Sequence, residues 1–231
     1  MKYLTYNVRD YFSAIYPLEN KTILDFGCNH GNFLLTDFNG SYIGLDIDKN
    51  QITANRQKWP QHLWIHYNHY NYQYNCDITV TTIWPEIPKS DVAIAFSVFT
   101  HCDFLEFNST INKLLTNTDL VLATFFSNQD RNIIKRVLDY HPEWFSKLQD
   151  RIIEKIETAN VTYVCVNTLT NDVMIFQNIH ELPRFSNELY FLSFYNDDWL
   201  ASATGGTIID NSSNFTGILG VQRCLKLSTP R

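Results

Sequence analysis

Apolar residues in the first half of the chain gather into short runs. Ile23-Leu24 leads into Asp25, and Tyr42-Ile43-Gly44-Leu45 leads into Asp46. Leu63 to Tyr67, Ser90 to Phe96 and Leu120 to Phe126 are three more. Short, mainly apolar runs of this kind predict strands buried on both faces of a parallel sheet. Helical spacing lies between them. Phe33, Leu34 and Leu35 give one face of a short helix, and residues 49–58 read as a polar crossover helix stopped at Trp59-Pro60. Phe104, Phe107, Ile111, Leu114 and Leu115 form the buried stripe of a third, ended by Thr116 to Asp119. Asp103, with Glu106 three residues on, has the spacing of a capping box at its start. Strands alternating with helices predict an α/β sheet.

The flanks are less regular. Val8, Tyr11, Phe12, Ile15 and Tyr16 recur at helical spacing up to Pro17. Such a helix either covers a sheet edge or packs over a bound ligand. Residues 69–85, rich in Tyr, Asn and Thr, predict no clear element. In the run 127–194, Ile133, Ile134, Val137 and Leu138 predict one helix. Trp144, Phe145, Leu148, Ile152, Ile153 and Ile156 predict another, with Pro142 near its start. Val161 to Val166 and Val173 to Gln177 pair around Asn171-Asp172. This region is an inserted α+β segment, either a substrate-side cap or a structural or oligomer-forming appendage. Asp197 to Thr204 is a short helix ending before Gly205-Gly206. Thr207 to Asp210 and Gly217 to Leu227 then pair across residues 211–214.

The chemistry concentrates in Thr22 to Leu35. A strand ends on Asp25, and Gly27, Asn29 and Gly31 crowd the turn behind it. Strand, glycine turn and helix is how an open α/β sheet holds a nucleotide. The spacing is not G-x-G-x-x-G, the dinucleotide motif. An acid at the turn repels a pyrophosphate and suits a cation. Asp46 ends the next strand about 20 residues on, where such folds place a ribose-binding carboxylate. Asp25-Phe-Gly27-Cys28-Asn29-His-Gly31, with Asp46, resembles the first motif D/E-x-G-x-G-x-G of the class I S-adenosylmethionine-dependent methyltransferases. Asn29 replaces the middle glycine, and Asn tolerates left-handed backbone.

The resemblance covers roughly residues 20–126 and 195–228. It implies one domain over 1–231 with a Rossmann-like doubly wound sheet, mostly parallel with an antiparallel last strand. It implies S-adenosyl-L-methionine as cofactor and S-adenosyl-L-homocysteine as product. The cofactor site it implies comprises Asp25, Gly27, Cys28, Asn29, Gly31, Asp46, Ile47, Asn68, Phe96 and Ser97. Asn68 either pairs with the adenine edge or makes a turn. Ser97-Val-Phe-Thr-His101 resembles the family's motif after the fourth strand. His101 is then either a general base or a helix-start residue bonding locally. His30 is expected to face solvent, and His66 and His69 to lie near the adenine edge.

Composition narrows the partners. The 231 residues are 45% apolar and carry a formal net charge of -6. Lys and Arg are scattered singly, so a nucleic-acid partner is not expected. Neither D/N-P-P-Y/F nor Pro-Cys follows the fourth strand, which sets aside two classes of DNA methylation. Five cysteines without C-x-x-C spacing fit a reducing cytoplasm. The first twenty residues lack the apolar core of a signal peptide, and no run is long enough to span a membrane. No His, Asp or Glu spacing suggests a metal. The reading is methyl transfer to an oxygen or nitrogen of a small molecule or sugar-like metabolite. The alternatives are a protein or RNA methyltransferase, or a binding protein that keeps the fold without the reaction.

Overall fold

The computed structural model describes residues 8–71, 74–75, 80, 83–178, 180, 189–211, 214–215 and 221–229. Helix α1 (Val8–Ser13) buries Val8, Tyr11 and Phe12 and ends before the expected stop at Pro17. Strand β1 (Thr22–Phe26) follows, then a 3-10 turn (Asn32–Leu34), β2 (Ser41–Asp46), α2 (Lys49–Lys58) and β3 (Leu63–His66). Next come β4 (Val92–Ala95), a second 3-10 turn (Phe99–His101), α3 (Phe104–Leu115) and β5 (Leu120–Ser127). The later elements are α4 (Arg131–Leu138), α5 (Pro142–Phe145), α6 (Gln149–Glu157), β6 (Val161–Asn167) and β7 (Val173–Phe176). The chain closes through β8 (Leu189–Tyr195), α7 (Asp197–Thr204), β9 (Thr207–Ile209) and β10 (Arg223–Ser228).

Strands β3-β2-β1-β4-β5 lie side by side and parallel. Strand β10 pairs antiparallel with β5 and carries β9 beyond it. This is the expected doubly wound sheet with an antiparallel last strand. Alternation along the strands divides its two cores. Leu24, Ile43, Ala93, Val121 and Phe107 pack on one face. Ile23, Tyr42, Ile94, Leu122, Tyr11 and Ile52 pack on the other. Side chains at i and i+2 share a face, so one strand feeds both layers. Burying each large side chain stabilises by about 1.5–3 kcal/mol.

The helices start on caps that the sequence supplies. Asp48 Oδ1 accepts from the amides of Asn50 (2.8 Å) and Gln51 (3.3 Å) at α2. Asp103 Oδ1 accepts from Glu106 N at 2.8 Å at α3. Such a cap contributes about 1 kcal/mol.

Several expectations need correction. The helix after the glycine turn is a single 3-10 turn, and Leu35 is exposed rather than buried. The chain re-enters the sheet at Ser41, too soon for further helical turns, and α1 packs against the 3-10 turn instead. The single helix expected over 144–156 is two, because the chain turns at Leu148 and leaves that side chain outside. The expected β6–β7 pair forms, but it does not stand apart from the sheet. Strand β8, which the sequence pattern did not reveal, pairs antiparallel with β6 and, through Phe194 and Tyr195, with Phe126 and Ser127 at the tip of β5. The start of the 217–227 strand and the turn at 212–213 lie outside the described residues, as do Tyr3, Tyr6 and Cys76. Among the described residues no helix is long and apolar enough to cross a membrane.

Candidate active site

A cavity of about 460 Å³ opens beyond the carboxyl ends of β1, β2 and β4. Open α/β sheets bind their ligands on this side. Asp25, Gly27, Cys28, Asn29, Asp46, Ile47, Phe96, Ser97 and His101 all line it. Gly31 is buried against the Trp59 ring and does not line it. His30 is exposed at the rim.

Three residues of the turn are left-handed: Gly27 (φ 75°), Asn29 (φ 43°) and Gly31 (φ 71°). A Cβ on Gly27 would sit 2.3 Å from Val98 Cγ2, and one on Gly31 2.5 Å from the Trp59 ring. Both glycines are therefore fixed by packing as well as by backbone conformation. The left-handed Asn29 is held at both of its peptide groups. Its amide donates to Asp46 Oδ2 at 2.7 Å, and its carbonyl accepts from Asn55 Nδ2 at 2.6 Å.

Asp46 anchors this loop to the next. Its Oδ1 accepts from Asp48 N at 2.8 Å. Burial raises its pKa, and the backbone amides of Asp48, Asn29 and Ile47 work against that rise. The carboxylate lines the cavity, and a carboxylate can accept from both hydroxyls of a vicinal diol. Asp25 is more deeply enclosed. Burial pushes its pKa up to about 7; the Tyr42 hydroxyl, donating to Oδ2 at 2.7 Å, opposes the rise, and the Asp46 charge adds to it. A cation beside Asp25 would draw the proton off and keep the carboxylate charged.

Ser97 is also left-handed (φ 58°) and is held from behind. Its amide donates to Thr124 Oγ1 at 2.8 Å, and its hydroxyl accepts from Gln222 Nε2 at 3.1 Å. The fully buried Gln222 in turn accepts from the Thr124 hydroxyl and, at its backbone oxygen, from Tyr11 OH at 3.1 Å. No motif in the sequence announces this network, because its members come from four distant segments.

His101 lies on the 3-10 turn after β4, as expected, but its basicity is not the ordinary one. Burial lowers its pKa to about 4, and a bond between Nδ1 and the Phe191 carbonyl only partly offsets this. The inserted region touches the site here. Phe191 O meets His101, the Ser193 hydroxyl donates to Cys102 O at 2.5 Å, and Phe104 N donates to Tyr163 OH at 3.1 Å. None of its described residues lines the cavity. These described residues pack behind the His101 turn.

The structure moves the polar wall beyond β3. Asn68 is exposed, bonds to Asn75 and does not line the cavity. The chain turns past it, and His69, Asn71 and Tyr74 face inward in its place. His66 bonds to the Ile47 carbonyl at 3.1 Å. Glu106 was expected to complete the α3 cap, but its side chain points to Asn71 and His69 and lines the cavity. Its position five residues after His101, in the first turn of α3, was the available signal. Among the described residues no group of three His, Cys, Asp or Glu is arranged to hold a metal ion.

No family model matches the chain, and no curated protein matches it. Solved structures do. The glycopeptide N-methyltransferase MtfA aligns over 98% of this chain and 90% of its own, with TM-score 0.54 and 8% identity. Its complex with S-adenosyl-L-homocysteine aligns equally closely, with TM-score 0.53. The PH0226 protein from Pyrococcus horikoshii OT3 aligns over 96% of this chain and 87% of its own, with TM-score 0.52 and 13% identity. The match to a Synechocystis magnesium protoporphyrin IX methyltransferase with bound S-adenosylmethionine covers 53% of this chain and 57% of that one, at 18% identity and TM-score 0.39. The chain thus has the Rossmann-like fold that methyltransferases such as MtfA share.

Proposed function

We propose that this protein is an S-adenosylmethionine-dependent methyltransferase. Its acceptor is an oxygen or nitrogen of a small molecule or sugar-like metabolite. One observation carries the reading: the acids near the carboxyl ends of β1 and β2, Asp25 and Asp46, face one cavity across a left-handed turn. The donor set fits the cofactor. It is a cation with a ribose diol, and the cavity offers carboxylates and no Lys or Arg among its described lining residues.

In this reading Asp46 accepts from the ribose hydroxyls, and Asp25 faces the cationic amino acid end. Ile47 and Val98 supply apolar contact, and the left-handed Ser97 presents its backbone. When bound, the cofactor supplies a methyl group already activated by a positive sulfur. The protein's task is then alignment, which can account for most of the rate. His101 meets the acceptor through Nε2. It stays unprotonated at neutral pH and accepts the acceptor's hydrogen as the new bond forms.

The cavity opens beside Ser97 and His101, which favours an enzyme over a binding protein with a closed donor end. Its acidic lining disfavours RNA. The four cysteines among the described residues are buried and free, which suits a reducing compartment, and the reading places the protein in the cytoplasm. Calorimetry with S-adenosyl-L-homocysteine tests the proposal. Binding with loss of affinity in Asp46→Ala supports it, and absence of binding at millimolar ligand would sink it.

A further inference from the structure

Four carboxyl groups line the cavity: Asp25, Asp46, Asp48 and Glu106. Among the described residues no Lys or Arg joins them there. The first three belong to the glycine-turn end. Glu106 stands apart, on the first turn of α3 beside the His101 turn. Its Oε1 and Oε2 accept from Asn71 Nδ2 at 3.3 and 3.4 Å, and Oε1 lies 3.2 Å from His69 Nε2. Asn71 Nδ2 also reaches the His101 carbonyl at 3.3 Å. The Glu106 side chain is only 14% exposed. Among the described residues its sole ion-pair partner is a histidine.

A second observation points to the same end of the cavity. The His101 side chain is nine-tenths buried and lines the cavity, and Nδ1 is taken by Phe191. Nε2 has no partner among the described residues. The Tyr74 ring meets the imidazole edge-on at 5.6 Å.

Resting on the methyltransferase reading, we propose that the acceptor is a basic amine, held in its ammonium form by Glu106 and presented to Nε2 of His101. A largely buried carboxylate whose side-chain partners are an amide and an imidazole gains from a cation that arrives to pair with it. An ammonium group supplies that cation and several N–H donors, for the Glu106 oxygens and for Nε2. The Tyr74 ring adds an aromatic surface of the kind that attracts cations. A phosphate or carboxylate acceptor would meet like charge on every side. A neutral alcohol would bring Glu106 no counter-charge. For transfer, the ammonium gives one proton to Glu106. The freed lone pair forms the N–C bond, the S–C bonding pair returns to sulfur, Glu106 releases its proton to solvent, and the methylated nitrogen leaves as an ammonium ion with its remaining hydrogens.

The test uses three ligands with one skeleton: tyramine, tyrosol and 4-hydroxyphenylacetate. Hexylamine, hexanol and hexanoate form a second, aliphatic set. Binding of each to the protein saturated with S-adenosyl-L-homocysteine is read by calorimetry, for the wild type and for Glu106→Gln. Amines are expected to bind, the alcohols and acids at least tenfold more weakly. Glu106→Gln should weaken amine binding about thirtyfold, as for one partner lost from an enclosed charge pair. Its affinity for S-adenosyl-L-homocysteine should stay at the wild-type value, which also shows that the variant folds. Absence of amine binding, alcohols or acids that bind as well, or amine affinity unchanged in the variant would each overturn the inference. So would a fall in S-adenosyl-L-homocysteine affinity in the variant, since Glu106 would then serve the cofactor's adenine. If the wild type fails to bind S-adenosyl-L-homocysteine, it is the methyltransferase reading that falls.

Discussion

His101 Nδ1 lies 2.8 Å from the carbonyl oxygen of Phe191, a residue of the inserted β8 strand. A carbonyl can only accept, so Nδ1 carries the hydrogen and Nε2 the lone pair. The bond fixes the tautomer and the ring direction together. It also gives the inserted region a part in the site although none of its described residues lines the cavity.

Replacing His101 with Ala should lower turnover roughly a hundredfold or more while the affinity for S-adenosyl-L-homocysteine barely changes. Alkaline pH should restore part of the loss, since the acceptor then sheds its proton unaided. Because burial holds the His101 pKa at about 4, the wild-type rate should show no inflection from this group near 6.5. Steady-state kinetics between pH 5 and 9 check both statements. Wild-type turnover in the variant would remove His101 from the chemistry.

The sequence pattern carried the parallel strands, the glycine turn and the two acids, because buried strands and tight turns leave local signatures. Asp25, Asp46 and His101 were legible for that reason. Glu106 was legible only as a cap, since its cavity role depends on where Asn71 arrives from a segment without periodicity. Strand β8 was hidden for a related reason: its pairing with β6 and the tip of β5 is a long-range choice. Asn68 shows the reverse case. Its position after β3 matched a ligand-binding pattern, but one turn of chain sets it outside the cavity.

Asp46 should tolerate no loss of its acceptors. Its two oxygens hold the amides of Asn29 and Asp48, and an alanine leaves both without a partner. Hydrogen bonds to charged groups contribute about 1.5–3 kcal/mol each. Asp46→Ala is therefore expected to bind S-adenosyl-L-homocysteine at least tenfold more weakly. Asp46→Asn, keeping one acceptor oxygen, should fall between it and the wild type. Calorimetry on the three proteins gives the ranking, and equal affinities would dissociate Asp46 from the ribose.

Gly27→Ala should destabilise the protein in two separable ways. Its left-handed φ of 75° costs a side chain about 1 kcal/mol, and the new Cβ collides with Val98 at 2.3 Å. Together these amount to roughly 2–4 kcal/mol. Adding Val98→Ala should relieve the collision and leave the backbone cost. Urea unfolding of the single and double variants measures the split. A double variant no more stable than Gly27→Ala would show that Val98 is not the obstacle.

The pH dependence of stability should carry the mark of Asp25. Its pKa rises from about 3.8 to about 7 on folding, mainly through burial. The native state therefore holds this proton more tightly than the unfolded chain. The contribution is fully present below pH 4 and is lost as the pH rises through 7, amounting to about 4 kcal/mol. His101 acts in the opposite direction: its lowered pKa costs stability as the pH falls from 6.5 toward 4. Comparing Asp25→Asn with the wild type cancels the histidine, which both proteins keep. Thermal unfolding should find Asp25→Asn the more stable protein at pH 8, with the difference shrinking toward pH 4. Saturating S-adenosylmethionine should narrow the gap at pH 8, because a cation beside Asp25 favours its charged form and binds the wild type better. A gap that is the same at pH 4 and pH 8 would mean that Asp25 ionises as freely in the folded protein as in the unfolded chain.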